Sequence, residues 1–208
     1  MHLSEWLTVL IIGWFVVITP GPNMAIVIRN SLVHSHRAGV YTAAGLAFGN
    51  LIHIAYCLVG IGLLISKSIL LFNIVKWLGA GYLIYLGFKS LRAQPHPSFI
   101  QENSSPSFTG FSALRTGFFT DLLNPKATLF FLALFTQIIR PGTPFLAQTV
   151  YGITIVVLEF GCFAILAAII GHHSVRQRVE SVSHWIERVT GIVLIALGIR
   201  VAFTTSTR

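Results

Sequence analysis

Four ionisable side chains sit in otherwise apolar stretches of this 208-residue chain: His53, Asp121, Lys126 and Glu159. A charge at the centre of a hydrocarbon layer costs about 3 kcal/mol on insertion scales, so such residues face a cavity or one another. Two carboxylates are the groups that could take an ammonium group or carry a proton. Asp121 and Lys126 stand five positions apart, poorly aligned on a continuous helix but able to meet across a break. Glu159 has no opposite charge near it in sequence; its partner must come from another segment, or it keeps its proton, and it is the leading candidate for a proton carrier. His53 titrates in a useful range, against the alternative of a hydrogen-bonded packing histidine. His34/His36 and His172/His173 lack accompanying carboxylates or thiols, so no metal site is expected.

These residues lie close to two interruptions of the apolar pattern. Thr19-Pro20-Gly21-Pro22-Asn23 falls inside a run that starts near Trp6 and reaches Ile28, and Asp121-Leu122-Leu123-Asn124-Pro125-Lys126 interrupts a second run that starts at Phe111. Proline lacks a backbone donor and clashes with the preceding turn, so neither run continues as one regular helix. Asn is a preferred N-cap and Pro is favoured at the first helical position, which makes Asn124-Pro125 a helix start; Gly21-Pro22 has the same form with a weaker cap. A half-helix beginning at membrane depth presents unpaired N–H groups and about half a positive charge, which suits a carboxylate. Pro20, Gly21, Pro22, Asn23, Asn124, Pro125 and Lys126 are therefore the substrate-binding candidates, with Asp121, Glu159 and His53 for proton coupling or ammonium binding. The alternative is a pair of kinks that only shape the bundle.

The elements that must position these residues are membrane spans. A composition of 54% hydrophobic and 10% charged residues, with mean hydropathy +0.79, excludes an ordinary soluble domain. Six apolar runs, about 6–33, 39–64, 69–91, 111–138, 144–171 and 184–204, are each long enough to cross a core of about 30 Å. The expected fold is an all-α integral membrane protein of six transmembrane helices. Met1 to Glu5 lacks a basic signal region, so the first span is expected to remain in the mature protein. The formal charge of +8 is scattered between spans rather than gathered in a stripe, which argues against nucleic acid. Cys57 and Cys162 read as small buried hydrophobes. Nothing in the chain suggests a cofactor, a nucleophile–base constellation or an enzyme.

Residues 93–110, rich in Pro, Ser and polar groups, read as a flexible linker between 1–92 and 111–208. Three spans on each side are an odd number, so the second half enters the membrane from the opposite face: two inverted three-helix halves, each with its first helix broken at proline. Span two carries Gly45, Gly49, His53 and Cys57 along one face, with the small-residue spacing of close helix packing. Loops one–two, three–four and five–six hold eight Lys and Arg, the opposite face five. That count puts the loops in the cytoplasm and both termini outside.

At these residues the sequence resembles the LysE/RhtB family of amino-acid exporters. The resemblance rests on Thr19-Pro-Gly-Pro-Asn23, the Gly39 to Gly49 region, Lys76-Trp-Leu-Gly79 through Tyr82 to Gly87, and Leu123-Asn-Pro-Lys-Ala127, and it extends over nearly the whole chain. It implies a bacterial inner-membrane, multi-pass homodimer that exports amino acids or close derivatives by proton antiport. Its partners are then a small amino-acid substrate, protons and the lipid bilayer. The alternatives are an exporter of another small solute, such as a metal cation or a purine-like compound, or a non-transporting membrane scaffold.

Overall fold

The computed structural model describes residues 3–67, 69–92, 109–139 and 143–203, and among them eight helices and no strand. The linker expected over 93–110 falls almost wholly outside the described residues. The helices are α1 (Leu3–Ile18), α2 (Pro22–Val33), α3 (His36–Lys67), α4 (Ile69–Leu91), α5 (Gly110–Leu122), α6 (Pro125–Ile138), α7 (Phe145–Ile169) and α8 (His173–Phe203).

Proline chemistry sets the two interruptions. Pro22 occupies the first turn of α2 and Pro125 that of α6, positions where a missing N–H costs nothing. The chain bends by 55° between α1 and α2 and by 57° between α5 and α6. Among the described residues α3 (over His36–Gly60) and α7 are long and apolar enough to cross a membrane singly, and four spans result if each bent pair counts as one. Of the six expected spans, those two and the two broken ones thus meet the test. In α4 the side chains of residues 71, 72, 75 and 76 lie outside the described set. The last span needs a correction: α8 begins at His173 rather than near 184. The stretch Ser174 to Arg188 contains neither Gly nor Pro, so the helix runs on through residues that hydropathy reads as a polar loop.

Helices before and after the 93–108 stretch interleave: α1 lies on α7 and α5 on α3, while α3 packs on α7 and α4 on α8. Gly45 makes the α3–α5 approach possible, since a Cβ there would run into the backbone of Leu114 and Phe118. One apolar cluster gathers Val9, Ile12, Phe130, Phe135, Tyr151 and Ile155; a second gathers Val17, Val27, Leu46, Phe163 and Ala167. Along α7 the first cluster ends at Ile155 and the second starts at Phe163, so Glu159 stands between two cores. Trp14, Trp77, Leu78, Tyr85, Phe88, Trp185 and Ile192 are exposed on the outside, as a bundle solvated by lipid requires.

Candidate functional site

The two breaks touch. The side-chain amide of Asn124 donates to Asn23 Oδ1 at 2.9 Å, linking residues 101 positions apart. Because Asn23 lies in the first turn of α2, its side chain is not needed to cap its own helix. Its amide nitrogen donates instead to Asp121 Oδ1 at 2.7 Å and to Glu159 Oε1 at 3.0 Å. One amide thus holds two carboxylates from two other helices. The second oxygen of Glu159 accepts from Asn50 Nδ2, so α2, α3, α5 and α7 converge on one polar cluster.

The backbone groups freed by the breaks find partners in different ways. Asn124 caps α6 by accepting from Lys126 N at 3.0 Å. No side chain caps α2, whose flanking Gly21 is extended. The Lys126 side chain crosses to the first break, where Nζ lies 3.4 Å from the Thr19 carbonyl and close beside Gly21. Thr19 turns its hydroxyl back to Phe15 O at 2.6 Å.

Gly21, Pro22, Asn23, Asn50, Asn124, Lys126 and Glu159 line a cavity of about 40 Å³ with Val16, Val17, Met24, Phe130, Phe131, Ile155 and Phe163. A water needs roughly 10–15 Å³ measured in this way, so the space admits a few waters and is smaller than an amino acid. Asp121 and His53 stand behind it. Asp121 is fully buried against α3, where a Cβ on Gly49 would lie 2.6 Å from Oδ2. His53 Nε2 reaches the Asp121 carbonyl at 3.1 Å and its Oδ2 at 3.4 Å, while Nδ1 bonds the Tyr56 hydroxyl at 2.8 Å.

Most of the residues singled out from sequence are therefore brought together. The exceptions are informative. Asp121 and Lys126 do not meet across their break, since Asp121 turns to Asn23 and His53 and Lys126 to Thr19. Pro20 bends the chain without lining the cavity, and Pro125 starts α6. Glu159 finds its partners on α2 and α3, as its isolation in sequence required, and both are amides. Asn50 was missed. Its signal was present, because an amide inside the uncharged stretch from Ala38 to Ser66 needs a hydrogen-bond partner.

A helical bundle with an apolar exterior, crossed by broken helices that meet at a buried polar cavity, defines a multi-pass membrane protein with an internal polar site. The profile of the LysE type translocator family matches residues 14–205, and the chain belongs to that family, whose members are transporters rather than enzymes. A homoserine/homoserine lactone efflux protein of Salmonella typhimurium is 32% identical over 188 residues, covering 90% of this chain and 86% of that protein. A leucine efflux protein of Klebsiella pneumoniae is 32% identical over 158 residues, covering 75% and 74%. The uncharacterised membrane protein YrhP of Bacillus subtilis is 30% identical over 197 residues, covering 91% and 94%. No solved structure matches.

Proposed function

We propose that this protein exports amino acids or close derivatives across the bacterial inner membrane in exchange for protons, with the paired helix breaks as its substrate site. The carrying observation is the convergence of Asn23, Asn124, Lys126 and Glu159 on one cavity. A zwitterion needs two opposite recognition elements a few ångströms apart. For the carboxylate there are the Lys126 ammonium and the start of α2, whose first N–H groups have no intrahelical acceptor. For the ammonium there is Glu159, together with Asn50 Oδ1, which no donor satisfies among the described residues. The efflux activity in the relatives' names supports the direction and the substrate class.

The alternating movement is a rocking of residues 1–92 against 111–208 about the breaks. The near-equal bends and the crosswise packing of α1 on α7 and α5 on α3 support six spans in two inverted halves. The small cavity fits a state closed around the site, which opens to one face when the halves part. Both termini outside, by the Lys and Arg count, and a homodimer, by the family resemblance, complete the reading.

The test is efflux of radiolabelled leucine or homoserine from loaded right-side-out vesicles, with uptake into inverted vesicles as its converse. Asn23→Ala, Lys126→Gln and Glu159→Gln should each lower export at least tenfold. Wild-type export by all three variants would overturn the site.

A further inference from the structure

Two carboxylates meet at Asn23, and their surroundings differ in a way that separates two tasks. Glu159 lines the cavity, and its oxygens are held by the amides of Asn23 and Asn50. A ligand in the cavity reaches it without disturbing a charge pair. Asp121 lines no part of the cavity, is fully buried, and packs on Gly49, where even a methyl group would not fit. A substrate ammonium has no route to it. Oδ1 of Asp121 is bound by Asn23, and Oδ2 has no hydrogen-bond donor among the described residues, with His53 Nε2 the nearby cation former at 3.4 Å.

Resting on the exporter reading above, we infer that Glu159 is the substrate-ammonium ligand, that the His53–Asp121 pair carries the coupling proton, and that Asn23 connects the two.

The hydrogen bonds around His53 suit a group that changes charge in place. In the neutral ring Nε2–H donates to the Asp121 carbonyl and Nδ1 accepts from the Tyr56 hydroxyl. In the imidazolium Nδ1–H donates to the same hydroxyl, because a phenol can serve as donor or acceptor, and Nε2–H gains the carboxylate as counter-ion. The neutral ring leaves Asp121 Oδ2 without a donor, and the imidazolium is the state that gives that oxygen a charged partner. The titratable and charged groups facing the pair are Tyr56 on its own helix, Asp121 on α5 and Glu159 on α7; α6 contributes Phe131, stacked on the imidazole, and α2 contributes the Asn23 amide. Lys126 on α6 faces the Glu159 side of the cavity.

The coupling then follows from position. The Asn23 amide donates one hydrogen to each carboxylate, so the two anionic sites are two hydrogen bonds apart. A proton added to neutral His53 gives an imidazolium, and a substrate ammonium at Glu159 adds a second positive charge beside it. Each disfavours the other in a site of low dielectric. Binding of the amino acid drives one proton from His53 to water on the cytoplasmic side, and release of the amino acid outside allows one proton to return. One proton moves inward as one amino acid moves outward, with no bond made or broken except N–H. Asn23 acts here as a positioning residue.

The experiment measures two transport modes in proteoliposomes of the full chain: export driven by an imposed pH gradient, and gradient-free exchange of labelled against unlabelled leucine or homoserine, whichever the wild type exports. In His53→Gln and Asp121→Asn the ratio of driven export to exchange should fall at least tenfold, whereas in Glu159→Gln both modes should fall together. In parallel, adding the amino acid to weakly buffered purified wild type with a pH dye should release about one proton per site, and His53→Gln should release none at saturating ligand. The dye measurement on wild type and His53→Gln decides the matter if Asp121→Asn does not fold. An unchanged ratio in His53→Gln, release that persists in it, or no release by wild type would overturn the assignment. Absence of any amino-acid export or exchange by wild type would overturn the exporter reading instead.

Discussion

At the first break Gly21 is extended, with φ −177° and ψ −175°, and no side chain caps α2; at the second, Asn124 closes on Lys126 N–H at 3.0 Å and α6 is capped. Both half-helices begin with proline, so each has already lost one donor, and the cap removes another from α6 alone. The start of α2 has no side-chain acceptor for its remaining N–H groups, which the proposed substrate site uses. The side chains divide in the complementary sense. Asn23, free of capping duty, bonds outward to three helices' worth of partners, and Lys126 leaves its own break to lie beside Gly21. The two breaks thus differ in their bonding: Asn23 at the first gathers partners from other helices, and Asn124 at the second caps its own helix while Lys126 crosses to the first.

The strongest way to break this comparison is to remove each asparagine in turn. Asn23→Leu deletes two donors to carboxylates, each worth about 1.5–3 kcal/mol as a bond to a charged group, so export should fall about a hundredfold or more. Thermal stability should drop with it, read by a melting curve in detergent. Equal losses in Asn23→Leu and Asn124→Ala would erase the distinction between the breaks.

Gly21→Asp sharpens the same point from the other side. A carboxylate at that position caps α2 and faces Lys126, contributing roughly a few tenths of a kcal/mol of helix stability over glycine while competing with the substrate carboxylate. The apparent KM for efflux should rise about tenfold, the equivalent of about 1.4 kcal/mol, with an unchanged or higher melting temperature. An unaltered KM would show that the α2 start does not bind the ligand.

Asn124→Ala should cost about 1 kcal/mol through the lost cap, with export down by a smaller factor than in Asn23→Leu. The mildest change is Gly21→Ala. Its methyl would sit 3.4 Å from Lys126 Nζ, ordinary contact, and the backbone there needs no glycine. Export within about threefold of wild type, under 1 kcal/mol, is expected; a collapse would mean that the break tolerates no side chain at all.

Local chemistry was readable from sequence and distant pairing was not. Pro22 and Pro125 fix the starts of α2 and α6 through their own rings, and those starts fall where composition puts them. The face of Gly45, Gly49 and His53 also announced a close neighbour, though not that α5 and Asp121 would be it. The partners of Asn23 lie 98, 101 and 136 residues away, a choice fixed by how the helices interleave. The Asp121–Lys126 pairing failed for the same reason: nearness along the chain was outweighed by Asn23, His53 and Gly49 on other helices. The early start of α8 was hidden because apolarity marks where a helix meets lipid rather than where it ends.

The central claim is that the paired breaks bind one zwitterion between α2 and α7. A cryo-electron microscopy structure of the dimer or monomer with the exported amino acid bound tests it most directly. The account predicts a carboxylate at the start of α2 beside Lys126 Nζ and an ammonium on Glu159, with Asp121 still held by His53. A ligand bound elsewhere, or Asn23 and Asn124 parted in every state with substrate present, would contradict it.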